Sequence, residues 1–183
     1  MAFRYNIRFS GAGGTGLLQA ARIIAEAAAI YDNKNAAESC SYGPEARGNA
    51  SRAEIIISDE AIDYPKIESI DLLMVLTQEA YQKSIGELGP RGVVIADRQV
   101  KIGGEIGKRK VFSVPFVEIA EKECGKPNMV NIVALGFFAA VNGVIERKSI
   151  RQAILARVPK MSEKEYICAY EAGLTAAKPE AKN

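Results

Sequence analysis

The chain has 183 residues, of which 48% are hydrophobic and 25% are charged, and its formal net charge is +2. These values are typical of a soluble globular protein, and there is no basic run that would indicate a nucleic-acid partner. No apolar run is long enough to span a bilayer, so the sequence predicts a cytoplasmic protein without a membrane segment.

The catalytic side chains that are missing also limit the function. The sequence contains no histidine, which is the commonest general base and metal ligand. Its three cysteines, Cys40, Cys124 and Cys168, are widely spaced, whereas an iron–sulfur cluster or a four-cysteine zinc site needs four ligands. The helical pattern around Cys168 predicts a core position for that thiol. We therefore expect that most of any catalytic machinery lies in other chains.

The first thirty residues predict a strand, a glycine turn and a helix. Apolar and polar residues alternate from Phe3 to Phe9, which is the period of a strand. Leu17–Ala29 lacks glycine and proline and is rich in helix-forming residues. Between them, Gly11, Gly13 and Gly16 have the GxGxxG spacing. This order is typical of the opening unit of a nucleotide-binding α/β fold.

Two interpretations of the glycine turn remain open. A phosphate can approach a backbone that lacks Cβ atoms, and the N–H groups of the first helical turn favour an anion. Alternatively, the turn only lets the first helix pack on the sheet. Binding of NAD would require an acid about twenty residues further on, at the end of a second strand. Glu38 is the nearest candidate, but Asp32–Cys40 has little strand character, so ordinary NAD binding is not favoured.

A second candidate for ligand contacts is the irregular segment Ser41–Arg52. Its turn dipeptides predict a loop, and loops between regular elements are common places for binding residues. Arg47 and Arg52 could supply positive charge there. Alternatively, the segment is a solvated loop whose arginines pair with Glu45 and Glu54.

The middle of the chain alternates predicted strands with short helices. The predicted strands are β-branched or apolar throughout: Ala53–Ser58, Ile70–Thr77, Gly92–Asp97 and Val111–Pro115. Gln78–Leu88 and Phe116–Glu123 are predicted helices, and Val100–Lys110 is predicted as an exposed hairpin or excursion. The alternation predicts an α/β layered fold with a mainly parallel sheet flanked by helices. We expect both candidate loops at the carboxyl edge of its strands.

The C-terminal third is predicted to be helical. Asn128–Ile145 is apolar nearly all round, so it lies either in the core or beneath a partner. Gly136 predicts close approach of another backbone. Ser149 and Ser162 are the predicted N-caps of the last two helices, with Glu165 completing a capping box.

The spacing of apolar residues in the last predicted helix indicates which of its sides faces the core. The predicted inward residues are Tyr166, Ala169, Tyr170 and Gly173. No linker divides the chain, so residues 1–177 are predicted to form a single domain, with a tail, 178–183, that is disordered by composition.

The glycine loop, Gly11–Gly16, and the stretch Ser41–Gly48, which reads SYGPEARG and runs into Ser51–Ser58, resemble the γ subunits of 2-oxoacid:ferredoxin oxidoreductases. Further stretches fit the same family: Asp63–Pro65, Thr77–Tyr81, Asn128–Asn131 and Ala134–Gly136. The resemblance is greatest to the 2-oxoglutarate (KorC-type) branch, and the γ subunits for pyruvate and branched-chain acids are similar. Two positions depart from the family: Thr15 replaces a common Gln, and Asn49 replaces a usual Gly.

The resemblance implies a function that fits the missing side chains. Such enzymes oxidatively decarboxylate a 2-oxoacid to its acyl-CoA and pass the electrons to ferredoxin. Thiamine diphosphate sits between the α and β subunits, and iron–sulfur clusters sit in other chains, with a ferredoxin-like δ subunit as a further candidate partner. The γ subunit is implicated in receiving coenzyme A. The resemblance thus implies that this chain alone is inactive and holds no catalytic residue.

The expected contacts to coenzyme A follow from the resemblance and from the two loops. N–H groups of the glycine loop would bind phosphate, and arginine would supply charge through a bidentate contact. The predicted contacts are Gly11, Gly13, Gly14, Thr15, Gly16, Arg47, Gly48 and Arg52. Alternatives remain open: Arg47 and Glu45 lock a subunit interface, the chain is a scaffold with an empty glycine loop, or it is a stand-alone nucleotide-binding protein.

Overall fold

The computed structural model describes residues 3–14, 16–41, 51–103, 106–107 and 109–178. The strands are β1 (Arg4–Gly11), β2 (Asn35–Ser41), β3 (Ser51–Ser58), β4 (Ile70–Val75), β5 (Leu88–Asp97) and β6 (Lys110–Val114). The α-helices are α1 (Leu17–Glu26), α2 (Gln78–Ser84), α3 (Phe116–Cys124), α4 (Val130–Val141), α5 (Arg147–Arg157) and α6 (Glu163–Ala176). A π-helical turn, Ala27–Tyr31, continues α1, and short 3₁₀ turns occupy Ile85–Glu87, Pro127–Met129 and Lys160–Ser162.

The described strands form one six-stranded sheet in the order β2-β3-β1-β4-β5-β6. β1, β4, β5 and β6 are parallel neighbours, whereas β3 runs antiparallel to both β1 and β2. The predicted α/β fold with a mainly parallel sheet and a glycine loop after the first strand is confirmed. The antiparallel direction of β3 was not predicted.

The sequence-based interpretation of Asp32–Cys40 was wrong, because Asn35–Ser41 forms strand β2. This edge strand pairs with β3 along its whole length, and such pairing can outweigh weak strand propensity. Glu38 lies on β2, but β3 separates β2 from β1. Its carboxylate lies 3.6 Å from Arg22 of α1. Binding of NAD requires an acid at the end of the strand next to β1, and Glu38 does not have that position.

Two other boundaries differ from the prediction. β5 begins at Leu88 and includes Gly89-Pro90, with a shift of register against β4 that accommodates this irregular start. The described residues of Val100–Lys110 form no hairpin. Val100 is buried, and Arg109 Nε donates a hydrogen bond to the Gly89 carbonyl oxygen at 2.8 Å, so this excursion is tied back to the sheet.

Helix α4 lies in the core of the chain. Its buried residues run without interruption from Val130 to Ala139, and Phe138 packs edge-on against Phe9 of β1 at 5.9 Å. Of the two alternatives for this apolar helix, the core position is thus the one observed. In the described part of the chain no helix is both long and apolar enough to cross a bilayer.

The close approach predicted at Gly136 is confirmed. A Cβ on this residue would overlap the carbonyl oxygen of Tyr170 in α6 and lie 3.0 Å from the Gly173 Cα. A Cβ on Gly173 would likewise lie 2.9 Å from the Gly136 Cα. The two glycines let the backbones of α4 and α6 touch where the helices cross.

The predicted helix caps were only partly correct. Ser149 lies inside α5, where it is buried and its Oγ donates to the Tyr31 carbonyl oxygen at 3.2 Å. A buried hydroxyl needs a partner, and Ser149 finds it in the π-helical turn. Ser162 is at the N-cap position of α6 but makes no capping hydrogen bond with its side chain. Glu165 instead pairs with Lys126 at 2.6 Å.

The inward side of α6 is close to the prediction, with one error. Ala169, Tyr170 and Gly173 are buried, and Tyr166 is half-buried. Cys168 is exposed rather than part of the core. The helix turns this position outward toward α3. The predicted tail lies outside the described residues from 179 onward.

Candidate functional site

The glycine loop lies at the carboxyl edge of the parallel strands, in the middle of the sheet. β1 ends at Gly11, which pairs in register with Ser51, the first residue of β3. On the other side, the Ser10 carbonyl oxygen accepts a hydrogen bond from Leu76 N, just after β4. Helix α1 begins six residues after Gly11, at Leu17. Ligands of α/β proteins bind outside this edge of the sheet.

Gly16 is required by the fold itself. It is the N-cap of α1 with a φ of 74°, a left-handed conformation that favours glycine. A Cβ there would lie 2.5 Å from Nδ2 of Asn131 in α4. That Nδ2 donates to the Gly16 carbonyl oxygen at 3.3 Å, and the same oxygen accepts the first helical bond from Ala20 N at 3.0 Å. Gly16 therefore joins α1 to α4.

The outer part of the loop differs, because little surrounds it. Gly14 has a φ of 84°, and a Cβ there would meet nothing within 4 Å. Gly13 is not among the residues with positive φ, and a Cβ there would meet only Ser51 Oγ, at 4.0 Å. Both residues are exposed. The fold thus leaves the backbone at Gly13 open to solvent without needing a glycine there.

This open backbone precedes the N-terminus of a ten-residue helix. The N-cap, Gly16, has no side chain to occupy the first turn, and that turn carries no acidic side chain. N–H groups at such a terminus, together with the helix dipole, attract anions. The loop can therefore bind a negatively charged group of a ligand.

The second predicted loop begins and ends at the same edge. β2 ends at Ser41 and β3 begins at Ser51, and Arg52 pairs in register with both Ser41 and Ser10. The two ends of this connection thus lie at the same edge of the sheet as the glycine loop, as predicted. Arg47, Gly48 and Thr15 lie outside the described residues, so their contacts stay predictions.

Arg52 reaches this edge from the face of the sheet opposite α1. Its neighbour Ala53 packs into the core beneath α1, and alternation along the strand turns Arg52 the other way. The side chain is 47% exposed, and its Nε lies 3.8 Å from Glu54 Oε1. This pairing with Glu54 is the one expected for a solvated arginine.

Sequence reasoning missed a buried arginine behind this edge. Arg8 of β1 is 2% exposed, and its Nη2 lies 2.6 Å from Glu54 Oε1 and 2.7 Å from Glu87 Oε2. The hydrogen bond from Arg8 is the main cause that lowers the pKa of Glu87. Alternation in β1 placed Arg8 on a polar face, but only the fold shows that Glu54 and Glu87 meet there. Glu54 thus joins Arg8 to Arg52.

The site offers binding groups rather than reactive ones. Cys40, near the end of β2, has its pKa raised to about 11 by burial and by the hydrogen bond to Glu38, so it is not an activated nucleophile. Among the described residues no group of three His, Cys, Asp or Glu side chains could hold a metal ion. With three cysteines in the whole sequence, the chain cannot supply four cluster ligands.

Comparison with known proteins identifies the family. The family model for pyruvate ferredoxin/flavodoxin oxidoreductase matches residues 6–176. The 2-oxoglutarate synthase subunit KorC of Methanocaldococcus jannaschii is 41% identical over 177 residues, which are 96% of this chain and 95% of the relative.

Two solved structures have the same fold. A keto/oxoacid ferredoxin oxidoreductase γ subunit from Geobacter sulfurreducens has a TM-score of 0.88 at 40% identity and covers 96% of this chain and 97% of that chain. The 2-oxoglutarate:ferredoxin oxidoreductase of Magnetococcus marinus, solved with 2-oxoglutarate, coenzyme A and succinyl-CoA bound, has a TM-score of 0.84 at 19% identity and covers 96% of this chain and 31% of that chain. The chain therefore belongs to the pyruvate ferredoxin/flavodoxin oxidoreductase family, as a γ-type subunit of a 2-oxoacid:ferredoxin oxidoreductase.

Proposed function

We propose that this chain binds the phosphates of coenzyme A at its glycine loop, within a complex that converts 2-oxoglutarate to its acyl-CoA. The observation that carries this proposal is Gly13. Neither its φ nor its packing requires glycine, yet its backbone is exposed before the N-terminus of α1. Close approach of a phosphate is a physical reason for the missing Cβ.

The choice of 2-oxoglutarate rests on the relatives. The Methanocaldococcus protein that is 41% identical is a subunit of 2-oxoglutarate synthase. The Magnetococcus enzyme, which shares the fold, was solved with coenzyme A bound. The coenzyme A in the Magnetococcus structure supports a role for this fold in binding that ligand.

The remaining machinery is assigned to partners. We place thiamine diphosphate between α and β subunits, and iron–sulfur clusters in other chains, including a ferredoxin-like δ subunit, with ferredoxin as acceptor. The sequence has no histidine and only three cysteines, which agrees with this division. The cytoplasmic location stays a prediction from composition.

Co-purification of the chain from its native host tests the proposal. The recovered material is assayed for reduction of a viologen dye with several 2-oxoacids, with and without coenzyme A. We expect larger partner chains and a CoA-dependent rate that is highest with 2-oxoglutarate. A lone chain without dye reduction contradicts the proposal, and a higher rate with another 2-oxoacid contradicts the choice of substrate.

The second candidate role, an interface lock formed by Arg47 and Glu45, is separated by one substitution. If Arg47 contacts coenzyme A, Arg47→Ala in the assembled complex raises the KM for CoA and leaves assembly intact. If it locks the interface, the same change weakens assembly on size-exclusion chromatography while the remaining complex keeps its KM. An unchanged KM with intact assembly removes both roles and favours a scaffold with an empty loop.

A further inference from the structure

Two cysteines far apart in sequence meet on the outer side of the helical layer. Cys124 is the last residue of α3, and Cys168 lies in the first half of α6. The Cys168 Sγ donates to the carbonyl oxygen of Glu123, the residue next to Cys124, at 3.5 Å. Besides burial, the Cys168 side chain also contributes to a raised pKa of the Cys124 thiol, so the two thiols lie near one another. Neither forms a disulfide in the structure, so the pair is a reduced dithiol.

One thiol of the pair is open to small molecules. Cys168 is exposed and lines a cavity of about 790 Å³ between α3, α5 and α6. The cavity has apolar walls that include Ile119, Leu155 and Ile167. Cys124 is half-buried. This is the arrangement of an attacking thiol with a second thiol behind it.

We propose that Cys124 and Cys168 are a redox-active pair that hydrogen peroxide oxidises to a disulfide between α3 and α6. The two cysteines lie on α3 and α6 and neither belongs to the glycine loop, so this role does not rest on coenzyme A binding. In the oxidised chain the bond joins the end of α3 to α6 and closes the intervening helices, α4 and α5, into a loop.

The chemistry balances with the peroxide as the only oxidant. The Cys168 Sγ attacks one oxygen of hydrogen peroxide; the O–O bond breaks, and the thiol proton passes to the departing hydroxide, which leaves as water. The Cys124 sulfur then attacks the resulting sulfenic acid; the S–S bond forms, the S–O bond breaks, and the Cys124 proton leaves with the oxygen as a second water. Two thiols lose two electrons, and one peroxide is reduced to two waters.

The surroundings set the order of the two steps. Burial and the adjacent Cys168 sulfur raise the pKa of the Cys124 thiol to about 11. Cys124 therefore stays protonated at neutral pH and is the resolving partner, because the thiolate is the nucleophile. The exposed Cys168 attacks first.

Peptide mapping of the purified full-length chain tests the proposal. The reduced chain is treated with hydrogen peroxide, the remaining thiols are alkylated, and tryptic peptides are analysed by mass spectrometry. We expect one product in which the peptide with Cys124 is joined to the peptide with Cys168, reversed by dithiothreitol. The bond constrains the unfolded chain, so Tm rises by roughly 5–10 °C on oxidation and returns on reduction.

The third cysteine provides the matched control. Cys40→Ser keeps both the joined peptides and the rise in Tm, whereas Cys168→Ser loses both. Oxidation of Cys124 and Cys168 to separate sulfinic acids overturns the proposal, as does a disulfide that involves only Cys40, or no reaction of the pair at all. The mapping uses the unsubstituted chain, so the result does not depend on how the variants fold.

Discussion

The two faces of the sheet are stabilised by different interactions. On one face, apolar residues of β1, β3 and β4 pack under α1 and α4, and α6 packs on α4 so closely that glycines meet. On the other face, α2 covers a smaller apolar cluster, and beside it Arg8 is buried between two carboxylates. Packing therefore holds the first face, and charge balance holds part of the second. The glycine loop lies at the edge where the faces meet.

The largest effect is expected on the closely packed face. Gly136→Ala places a methyl group on the carbonyl oxygen of Tyr170, where neither backbone can move without separating α4 from α6. Overpacking against backbone should lower the free energy of unfolding by about 4 kcal/mol. Urea unfolding of the full-length chain, followed by circular dichroism, measures it.

Gly86→Ala is the matched control for this substitution. A Cβ at Gly86 meets nothing within 4 Å, and its φ is not positive, so the free energy of unfolding should change by less than about 0.5 kcal/mol. Equal effects of the two substitutions would show that the crossing of α4 and α6 does not depend on its glycines.

The next effect is expected on the charged face. Arg8→Met removes the cation that Glu54 and Glu87 share, and Glu54 is only 14% exposed. Leaving a carboxylate without its buried partner should lower the free energy of unfolding by about 3 kcal/mol. This is the low end of the usual range, because Glu87 is 46% exposed. Urea unfolding at pH 7 measures this loss.

Arg98→Met is the control for an arginine at the surface. Arg98 is 61% exposed and lies 4.0 Å from Glu118, so its loss should change stability by less than about 0.5 kcal/mol. If Arg8→Met proved as mild as Arg98→Met, the contrast between a packed face and a charged face would fail.

A smaller effect is expected at the edge between the faces. Gly13→Ala adds a methyl group that meets no side chain closer than 4.0 Å, so the chain should keep its stability. If coenzyme A phosphate approaches this backbone, the methyl group stands in its way, and the KM for CoA should rise about tenfold, or ~1.4 kcal/mol. Steady-state dye reduction by the assembled complex measures the KM.

Gly86→Ala in the same complex should leave the KM for CoA unchanged, because Gly86 lies outside the loop. An unchanged KM in Gly13→Ala would remove the main support for the phosphate site. Lost assembly in Gly13→Ala would instead assign the open backbone to a partner subunit.

The sequence predicts those features that are local. The strand, glycine turn and helix from β1 to α1 follow from periodicity, glycine spacing and local composition, in that order. The contact at Gly136 was predictable because glycine destabilises a helix interior unless a neighbouring backbone needs the space. Strand β2 was missed because its partner β3, not its own residues, makes it a strand. Arg8 and the Cys124–Cys168 pair were missed for the same reason. Each depends on residues that are distant in sequence, and no short-range pattern specifies which of them meet.

The smallest effect is the pH dependence of the charged face, and its sign follows from the pKa of Glu87. The hydrogen bond from Arg8 lowers this pKa below the ordinary value of 4.5. A carboxyl group whose pKa is lowered by folding stabilises the folded state at pH values above its pKa in the unfolded chain. That contribution is lost as the pH falls through its pKa in the folded chain. Solvent screening keeps the contribution of Glu87 below about 1 kcal/mol.

Unfolding free energies measured from pH 6 down to pH 3 should therefore fall less steeply below pH 4.5 in Glu87→Gln than in the unsubstituted chain. Equal slopes would mean that Glu54 alone balances Arg8, so that the charged face depends on one carboxylate rather than two.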